Sequence, residues 1–434
     1  MQTNIETLGK LERRLDVALP AEQIEREIEQ RLRKLSRTVR MDGFRPGKVP
    51  LKIVAQHYGP QIRTEVIGDA VQKAFSEVVR EKNLRVAGYP RIERKDGADD
   101  KQLAFSATFE IYPEIKVGDL AEVKIQRPAH PVDDADVDRT IEILRKQRAT
   151  WEAAARAAQT GDRVTVDFVG RIDGNEFPGG KGSDMTVTIG EGRVLPDFES
   201  NLAGISAGER RIFPVRFPDD YAGKEVAGKT ADFEVNVKSV EAPKVPELGA
   251  AFAKSLGVAD GDLAKMRDEV RTNVELEVKK RVESDVKQKV MQALIDSATL
   301  ELPKSLIEIE TQRMMQQARA ELEARGVKLE KLPVNPQALE ERARRRVALG
   351  LILGELVREQ SLGAKPEQVR ALVTEHAQTY EQPFEVVKWI YSDQQRLSEF
   401  EGLVVEANVV KWVLERAKVE DQAIGFEALM GAAT

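Results

Sequence analysis

Apolar and polar residues follow two different periods in the N-terminal part of the chain. Between Leu8 and Leu19 they alternate, and Pro20 ends the run, which predicts a pair of strands over residues 1–20. In residues 21–40 the spacing changes to three or four, with apolar side chains at Ile24, Ile28, Leu32 and Leu35. Acidic residues come first in that segment and basic residues last, and this order together with the spacing predicts a helix.

A second helical pattern and a further strand follow. Residues 53–82 have helical spacing, and we expect the run Gly88-Tyr89-Pro90 to break that structure. Apolar residues alternate with polar ones over 103–109, which predicts a strand. These elements together predict an α+β domain over residues 1–113.

The next two segments differ from the first and from each other. Residues 114–150 contain a helix that starts near Asp133, and we expect an exposed connector that packs with the later helical domain. Residues 151–245 are richer in glycine, with strand patterns over 164–169, 185–189, 211–217 and 230–240. They predict a small β-rich domain followed by a linker at Pro243 and Pro246.

Residues 246–434 read as a helical domain. Apolar residues repeat every four positions at Val270, Val274, Val278, Val282, Val286, Val290 and Leu294. Such a stripe drifts by about 40° per repeat around a helix of 3.6 residues per turn, so it cannot stay on one face. We therefore expect one long helix that meets different neighbours along its length. Prolines should separate the remaining helices, at Pro303, Pro333, Pro336, Pro366 and Pro383.

Composition narrows the possible classes of protein. The chain has 434 residues, more than a single core usually supports, so several domains are expected. It has no cysteine, and its three histidines, His57, His130 and His376, lie far apart, so we expect no metal and no cofactor. Each histidine is expected on the surface or in a turn. No secretory segment or membrane span is visible, which predicts a cytoplasmic protein.

The charge distribution is uneven. The formal net charge is −6, yet basic residues dominate residues 31–52, where Asp42 is the only acid. This local excess predicts a face that is attracted to an anionic surface.

The motif Gly43-Phe44-Arg45-Pro46-Gly47-Lys48-Val49-Pro50 lies in that basic segment. Its glycines allow positive φ and its prolines stiffen the loop. An exposed Phe44 between cations would suit docking on a surface of protein and phosphate. The alternative is an ordinary helix–helix turn with a buried Phe44.

This motif resembles the ribosome-docking signature of the trigger factor family. The resemblance implies that Gly43, Phe44, Arg45, Gly47 and Lys48 bind the large ribosomal subunit, protein and rRNA, beside the nascent-chain exit. Pro46 stands where that family often has a basic residue. Nascent and unfolded polypeptides are the implied clients. The sequence leaves open whether the free protein forms a homodimer.

The β-rich segment resembles FKBP-type isomerases. The resemblance is carried by residues 164–170, 173–177 and 189–199, and it implies a half-barrel around one helix. It places a prolyl pocket at Phe168, Phe177, Val194, Leu195, Phe198, Tyr221 and Phe233. The alternative is that several of these are ordinary core residues. Pro178 replaces a frequent acid, and Met185 replaces a frequent aromatic residue.

Isomerisation of an X-Pro bond needs an apolar pocket more than it needs acids or bases. The bond has a rotation barrier of about 18–20 kcal/mol, and its twisted state loses amide resonance. A dry pocket with aromatic walls favours that less polar state and holds the proline ring.

The fold class that follows is multi-domain α+β. It comprises a docking domain over 1–113, a connector over 114–150, an FKBP-like half-barrel with one helix over 151–245, and an extended helical domain over 246–434. The predicted function is a ribosome-associated chaperone with prolyl isomerase activity. A free-standing isomerase with helical client-binding arms would leave residues 1–112 unexplained. An RNA-binding regulator would need an RNA module, and stacking aromatic residues are few.

Overall fold

The computed structural model describes residues 2–42, 44–45, 47–95, 102–221, 223–324 and 336–431. Its strands are β1 (Gln2–Thr7), β2 (Glu12–Pro20), β3 (Val86–Lys95), β4 (Gln102–Ile111), β5 (Lys116–Val117), β6 (Lys124–Ala129), β7 (Thr150–Ala153), β8 (Arg163–Ile172), β9 (Asn175–Thr188), β10 (Arg210–Arg216), β11 (Thr230–Lys244), β12 (Ala298–Thr299) and β13 (Lys418–Ala423). Its helices are α1 (Ala21–Ser36), α2 (Leu51–Glu81), α3 (Asp134–Gln147), α4 (Pro196–Leu202), α5 (Ala250–Ser255), α6 (Leu263–Ser297), α7 (Lys304–Ala324), α8 (Pro336–Gln360), α9 (Pro366–Ala377), α10 (Pro383–Tyr391), α11 (Gln394–Leu414) and α12 (Phe426–Met430).

The chain divides into two compact units. Unit 1 contains Met1–Ile125 and Lys287–Glu420, and unit 2 contains Gln126–Val286 and Asp421–Thr434. No helix of the described ranges combines the length and apolarity that a membrane crossing needs.

The N-terminal part of unit 1 is an antiparallel sheet with two helices. The strand order is β1-β2-β4-β3, and α1 and α2 pack together beside the sheet. Alternation in β2 buries Leu15, Val17 and Leu19, because successive side chains of a strand point to opposite faces. These side chains share one core with the apolar face of α1 and with α2.

The expected break at Gly88-Tyr89-Pro90 is wrong. Helix α2 ends at Glu81, and Asn83 takes a positive φ of 52° just after it. Strand β3 then runs through the three residues, which form an irregularity between Ala87 and Arg91 in its pairing with β4. Gly88 has a φ of +75°, so the bulge uses the glycine that sequence reasoning assigned to a break.

The rest of unit 1 is mainly helical. Prolines occupy the first position of α8, α9 and α10, and Pro303 immediately precedes α7, as the sequence predicts. Pro333 lies outside the described residues. Helices α9, α10 and α11 share a small core that includes Val369, Val373, Ile390 and Val404.

The β-rich part of unit 2, residues 150–244, contains a five-stranded antiparallel sheet and helix α4. The strand order is β10-β11-β8-β9, with β7 paired to the far end of β11. Pro243 was expected in a linker, but it lies within β11 and pairs with Trp151 of β7. The inner face of the sheet and α4 share a core in which Val164, Val166, Leu202 and Val235 are fully buried.

The connector is not simply exposed. Helix α3 starts at a capping box, in which the Asp133 side chain accepts a hydrogen bond from the Asp136 amide at 3.0 Å. Its apolar face buries Val137 and Ile141 in a core with side chains of α5 and α6. The expectation of an exposed helix is therefore wrong for this face.

Helix α6 carries the valine stripe predicted from the sequence. Val270, Val274 and Val278 pack in the core that includes α3 and α5, whereas Val290 lies beyond the boundary between the units, which falls after Val286. Val282, midway along the stripe, is only half-buried. The stripe thus does not stay in one core along the helix, as its drift predicts.

Candidate functional site

A cavity of about 520 Å³ opens in the β-rich part of unit 2. Strands β8, β9 and β11, helix α4 and the loops beside them contribute its walls. All seven side chains that the sequence assigned to a prolyl pocket line it, namely Phe168, Phe177, Val194, Leu195, Phe198, Tyr221 and Phe233. The structure therefore brings together residues that are up to 65 positions apart, from 168 to 233.

Phe233 is the centre of the aromatic cluster in this cavity. Its ring centroid lies 5.3 Å from that of Phe198, 5.9 Å from Phe168 and 6.2 Å from Phe177. The Phe198 and Phe177 contacts are edge-to-face, the geometry that the ring quadrupole favours. Because each ring is held by another, the cavity has a preorganised apolar floor.

Glycines on the neighbouring strands leave room for these rings. A Cβ atom added at Gly170 would lie 2.8 Å from Phe233 Cε1. One added at Gly182 would lie 2.5 Å from Phe168 Cε1, too close for any real contact. Gly170 of β8 and Gly182 of β9 thus leave the space that the Phe233 and Phe168 rings occupy.

The loop before α4 is fixed by a carboxylate. Glu199 accepts hydrogen bonds from the Gly190 amide at 2.6 Å and from the Gly192 amide at 3.3 Å. Both glycines have positive φ, 98° and 65°, which any other residue would adopt only with strain. This bracing positions Val194 and Leu195, which line the cavity just before the first turn of α4.

Sequence reasoning missed several lining residues. Pro178 and Met185, noted as departures from the family pattern, are in the wall, and so are Gly179, Arg193, Pro196, Phe217, Gly223 and Val226. Phe217 could have been found, because buried Phe213, Val215 and Phe217 alternate along β10 and the residue after it. Arg193 and Val226 lie in loops that have no such period.

The cavity wall offers little acid–base chemistry. No carboxylate or imidazole occurs among the described residues that line it, and Arg193 is ion-paired to Glu191 at 2.9 Å. Such a site can hold an apolar ring and exclude water from an adjacent amide. It suits a reaction whose transition state is less polar than its ground state.

A second candidate site is the loop between α1 and α2. The Phe44 side chain is 38% exposed, although it is large and apolar. Turn hydrogen bonds join the Phe44 amide to the Met41 carbonyl at 3.1 Å and the Lys48 amide to the Arg45 carbonyl at 2.9 Å. Gly47 has a φ of +76°, as expected for a tight loop, whereas Gly43 and Pro46 lie outside the described residues. The alternative of a fully buried Phe44 is therefore wrong.

The cations near this loop fall into two groups. Arg31 is paired to Asp69 at 2.6 Å and Arg33 to Glu29 at 2.6 Å. By contrast, no ion pair to another described residue involves the exposed Lys34, Arg37, Arg40, Arg45, Lys48 and Lys52. The end of α1 and the loop thus present positive charge that the described part of the chain does not neutralise.

The histidines do not form a metal site. His57 and His376 are exposed on helices, as expected for surface residues. His130 is instead largely buried, and it contacts Asp136 and the carbonyl of Ile424. The described residues contain no group of three or more side chains arranged to hold a metal ion.

Comparisons with known proteins agree with this arrangement. Residues 1–144 match the family model "Bacterial trigger factor protein (TF)", and residues 262–415 match its C-terminus model. Residues 154–238, which contain the cavity, match "FKBP-type peptidyl-prolyl cis-trans isomerase".

Full-length relatives are also similar. Trigger factor from Aromatoleum aromaticum is 52% identical over 433 residues, covering 100% of both chains. Trigger factor from Nitrosospira multiformis is 54% identical, covering 99% of this chain and 100% of its own.

A solved structure of the trigger factor chaperone, described for promiscuous substrate recognition in folding and assembly, superposes with a TM-score of 0.51. It is 18% identical and is covered over 99% of its length by 96% of this chain, so it supports the fold alone. The matches at about half identity over the full length decide the family. This chain belongs to the trigger factor family, ribosome-associated chaperones that carry an FKBP-type peptidyl-prolyl isomerase domain.

Proposed function

We propose a specific division of work for this chaperone. Residues 1–113 dock on the ribosome, 151–245 isomerise X-Pro bonds in the cavity, and 246–434 with the connector 114–150 shield unfolded chains. The observation that carries the proposal is the single cavity lined by all seven predicted pocket residues.

The cavity would act by burial. The proline ring of a client enters between the aromatic rings around Phe233, and the preceding amide leaves water as it does so. Loss of water disfavours the polar planar amide relative to the twisted one, so the barrier falls without a proton transfer. Met185 in the wall is unbranched and adapts to differently shaped neighbours of the proline.

Substitution of cavity residues tests this role. Tyr221→Ala and Phe198→Ala should each lower kcat/KM on a proline peptide by tenfold or more, measured by NMR exchange between the cis and trans peptide. Ile212→Ala is the matched control, because Ile212 is 64% exposed on β10 of the same domain. Activity that survives both cavity substitutions in a folded protein would rule out this cavity as the site.

The docking surface would combine an anchor with charge. Phe44 offers an exposed aromatic side chain, and Arg45 and Lys48 flank it without ion pairs to other described residues. We assign this loop to the large subunit beside the nascent-chain exit, where ribosomal protein and rRNA both meet it. Aromatic side chains and arginine are the residues most enriched among interface hot spots.

Co-sedimentation tests the docking role. Phe44→Ala with Arg45→Ala and Lys48→Ala should abolish pelleting with ribosomes and leave isomerase activity unchanged. Tyr89→Ala is the control, since Tyr89 is an 85% exposed aromatic residue outside the loop. If the triple variant still pellets like the wild type, the loop is not the anchor, and a free-standing isomerase becomes the better interpretation.

The remaining partners follow from the same proposal. Nascent chains that emerge at the exit are the first clients. Because the protein meets them on the ribosome, we expect it to work in the cytoplasm. Sedimentation velocity over a range of concentrations tests whether the free protein forms a homodimer.

A further inference from the structure

His130 joins two parts of unit 2 that are far apart in sequence. It lies between β6 and α3, and its Nε2 atom is 2.7 Å from Asp136 Oδ2. Its Nδ1 atom is 2.9 Å from the carbonyl oxygen of Ile424, near the end of the chain. The imidazole therefore bridges the start of α3 and the C-terminal segment.

Both partners of the ring can only accept hydrogen bonds. A neutral imidazole carries one N–H group, so it can donate to one of the two oxygens and must face the other with a lone pair. The imidazolium form carries two N–H groups and satisfies both contacts. The geometry at His130 thus fits the protonated ring better than either neutral tautomer.

The electrostatics agree with this geometry. The hydrogen bond to Asp136 raises the pKa of His130 above its usual value, against the opposing effect of burial, and the Ile424 carbonyl adds to the rise. Burial acts to raise the pKa of Asp136. The hydrogen bonds from His130 and from the Asp133 amide outweigh it and leave that pKa below its usual value.

Other charged groups near the ring are already paired. On α3, Arg139 lies 3.7 Å from Glu427 of α12, and Asp133 adds negative charge beside the ring. On β6, Arg127 binds Asp421 of β13 at 2.6 Å. From α6, Arg267 and Arg271 bind Asp138 and Asp134 on α3. The charges near His130 that are not neutralised by these ion pairs are therefore the acidic ones of Asp133 and Asp136, and they favour the imidazolium.

The segment that His130 contacts is also held by backbone and apolar contacts and by the Arg139–Glu427 ion pair. The Ile424 amide donates to the Ala129 carbonyl at 3.2 Å. Phe426 is buried in the core with Val137 and Met266, and its ring centroid is 5.6 Å from that of His130. Helix α12 itself has only five residues, so it depends on these contacts for its position.

We propose that His130 is a protonation-dependent latch that holds the C-terminal segment Ile424–Met430 against α3 and loosens it as the pH rises. Deprotonation removes the donor to Ile424 or the donor to Asp136. Loosening of Phe426 then exposes the apolar face that α3 and α6 share around Val137.

Linkage between protonation and folding determines how the stabilisation by His130 changes with pH. Because the pKa of His130 is raised in the folded protein, its contribution is complete below about 6.5, the value of a free histidine. It is lost as the pH rises through the higher folded value. The opening constant of the segment should then rise by up to about tenfold for each unit of difference between the two pKa values.

Two measurements on the full-length protein test the latch. NMR titration of the ring nitrogens should show that His130 titrates above about 6.5, the value of a free histidine. Hydrogen exchange, corrected for the intrinsic rate at each pH, should show protection of the Ile424 and Leu429 amides that falls between pH 6 and pH 9. His130→Gln should give low protection of both amides at every pH, and His376→Gln should behave like the wild type.

Each measurement can overturn the proposal. A His130 that titrates at or below the free value contradicts it, as does corrected protection that does not change with pH. Wild-type pH dependence in His130→Gln would assign the effect to another group. Should that variant fail to fold, the wild-type titration and exchange alone decide.

Discussion

Glu110 on β4 caps the first turn of α7 through Ser305. Its carboxylate accepts hydrogen bonds from the Ser305 amide at 2.7 Å and from the Ser305 hydroxyl at 2.6 Å. The Lys304 amide donates to the same carboxylate at 3.1 Å. A negative group at this end of a helix satisfies free amides and complements the helix dipole. Within unit 1, the N-terminal sheet and the helical region are thus joined by a cap supplied from another element.

Loss of this cap should loosen α7 at its start. Glu110→Ala leaves the amides of Lys304 and Ser305 without their partner, which should cost about 1–2 kcal/mol. Hydrogen exchange of the Ser305–Ile307 amides, with urea unfolding of the full chain, measures the effect. Glu114→Ala is the matched control, because Glu114 is exposed and just after the same strand. Equal protection in the two variants would show that the cap is not needed.

The glycine behind Phe168, Gly182, offers a test of cavity shape in which no lining side chain is itself mutated. Gly182→Ala puts a methyl group 2.5 Å from Phe168 Cε1, so the ring must shift from its present position. We expect kcat/KM on a proline peptide to fall by tenfold or more. Gly59→Ala should leave the isomerase rate unchanged, because a Cβ atom there meets open space. An unaltered rate in Gly182→Ala would mean that the position of Phe168 does not matter.

An arginine of α1 that forms an ion pair and an arginine just after α1 that forms none with a described residue should differ in their contribution to ribosome binding. Arg37 is exposed and has no ion pair to a described residue, whereas Arg33 binds Glu29 at 2.6 Å. If Arg37 meets a phosphate, Arg37→Ala should reduce the slope of log K against log salt concentration by about one. Arg33→Ala should leave that slope nearly as it is. Identical slopes for both variants would remove Arg37 from the contact surface.

A buried carboxylate should make the isomerase domain sensitive to acid. Asp162 is 2% exposed, and it accepts hydrogen bonds from Arg156 and, at 2.8 Å, from the Gln159 amide. The Arg156 hydrogen bond lowers the pKa of Asp162, so this stabilisation is complete above the unfolded value and is lost as the pH falls through the folded one.

Asp162→Asn tests that coupling. At pH 7 it should reduce the free energy of unfolding of the domain by about 1–3 kcal/mol, and the difference from the wild type should shrink in acid. Urea titration followed by exchange of the β8 amides reports on this domain. Asp220→Asn is the control, since Asp220 is exposed. A difference that is constant from pH 7 down to acid would contradict the role of ionisation.

Local patterns predicted the regular elements well. Alternation in β2 and β4 and helical spacing in α1 reflect one-sided burial, which is visible in a single segment. The requirement for a glycine at position 88 cannot be predicted from the neighbouring sequence. A Cβ atom there would lie 2.7 Å from the Ser305 Cβ atom, so the glycine is required by a helix more than 200 residues later, at position 305. No short stretch of sequence around Gly88 includes Ser305, so the contact between them could not be predicted.

In the candidate sites too, some residues could be predicted from the sequence and others could not. Five aromatic and two aliphatic residues of the cavity could be assigned by family resemblance, and the structure brings all seven to one place. The glycine Gly182 was not predicted, because its role depends on the Phe168 ring that lies opposite it. Arg193 was not predicted, because it lies in a loop without a repeating pattern. His130 was expected on the surface, and its two partners, Asp136 and Ile424, are joined only by the fold.

The described wall of the isomerase cavity has no carboxylate and no imidazole, and its mode of action has a consequence for the clients. A site that consumes no fuel accelerates both directions of bond rotation equally and leaves the equilibrium constant untouched. The choice between cis and trans therefore belongs to the emerging polypeptide, whose own packing traps one isomer. One chaperone can accordingly serve proteins that need the cis form and proteins that need the trans form, because it does not favour either isomer.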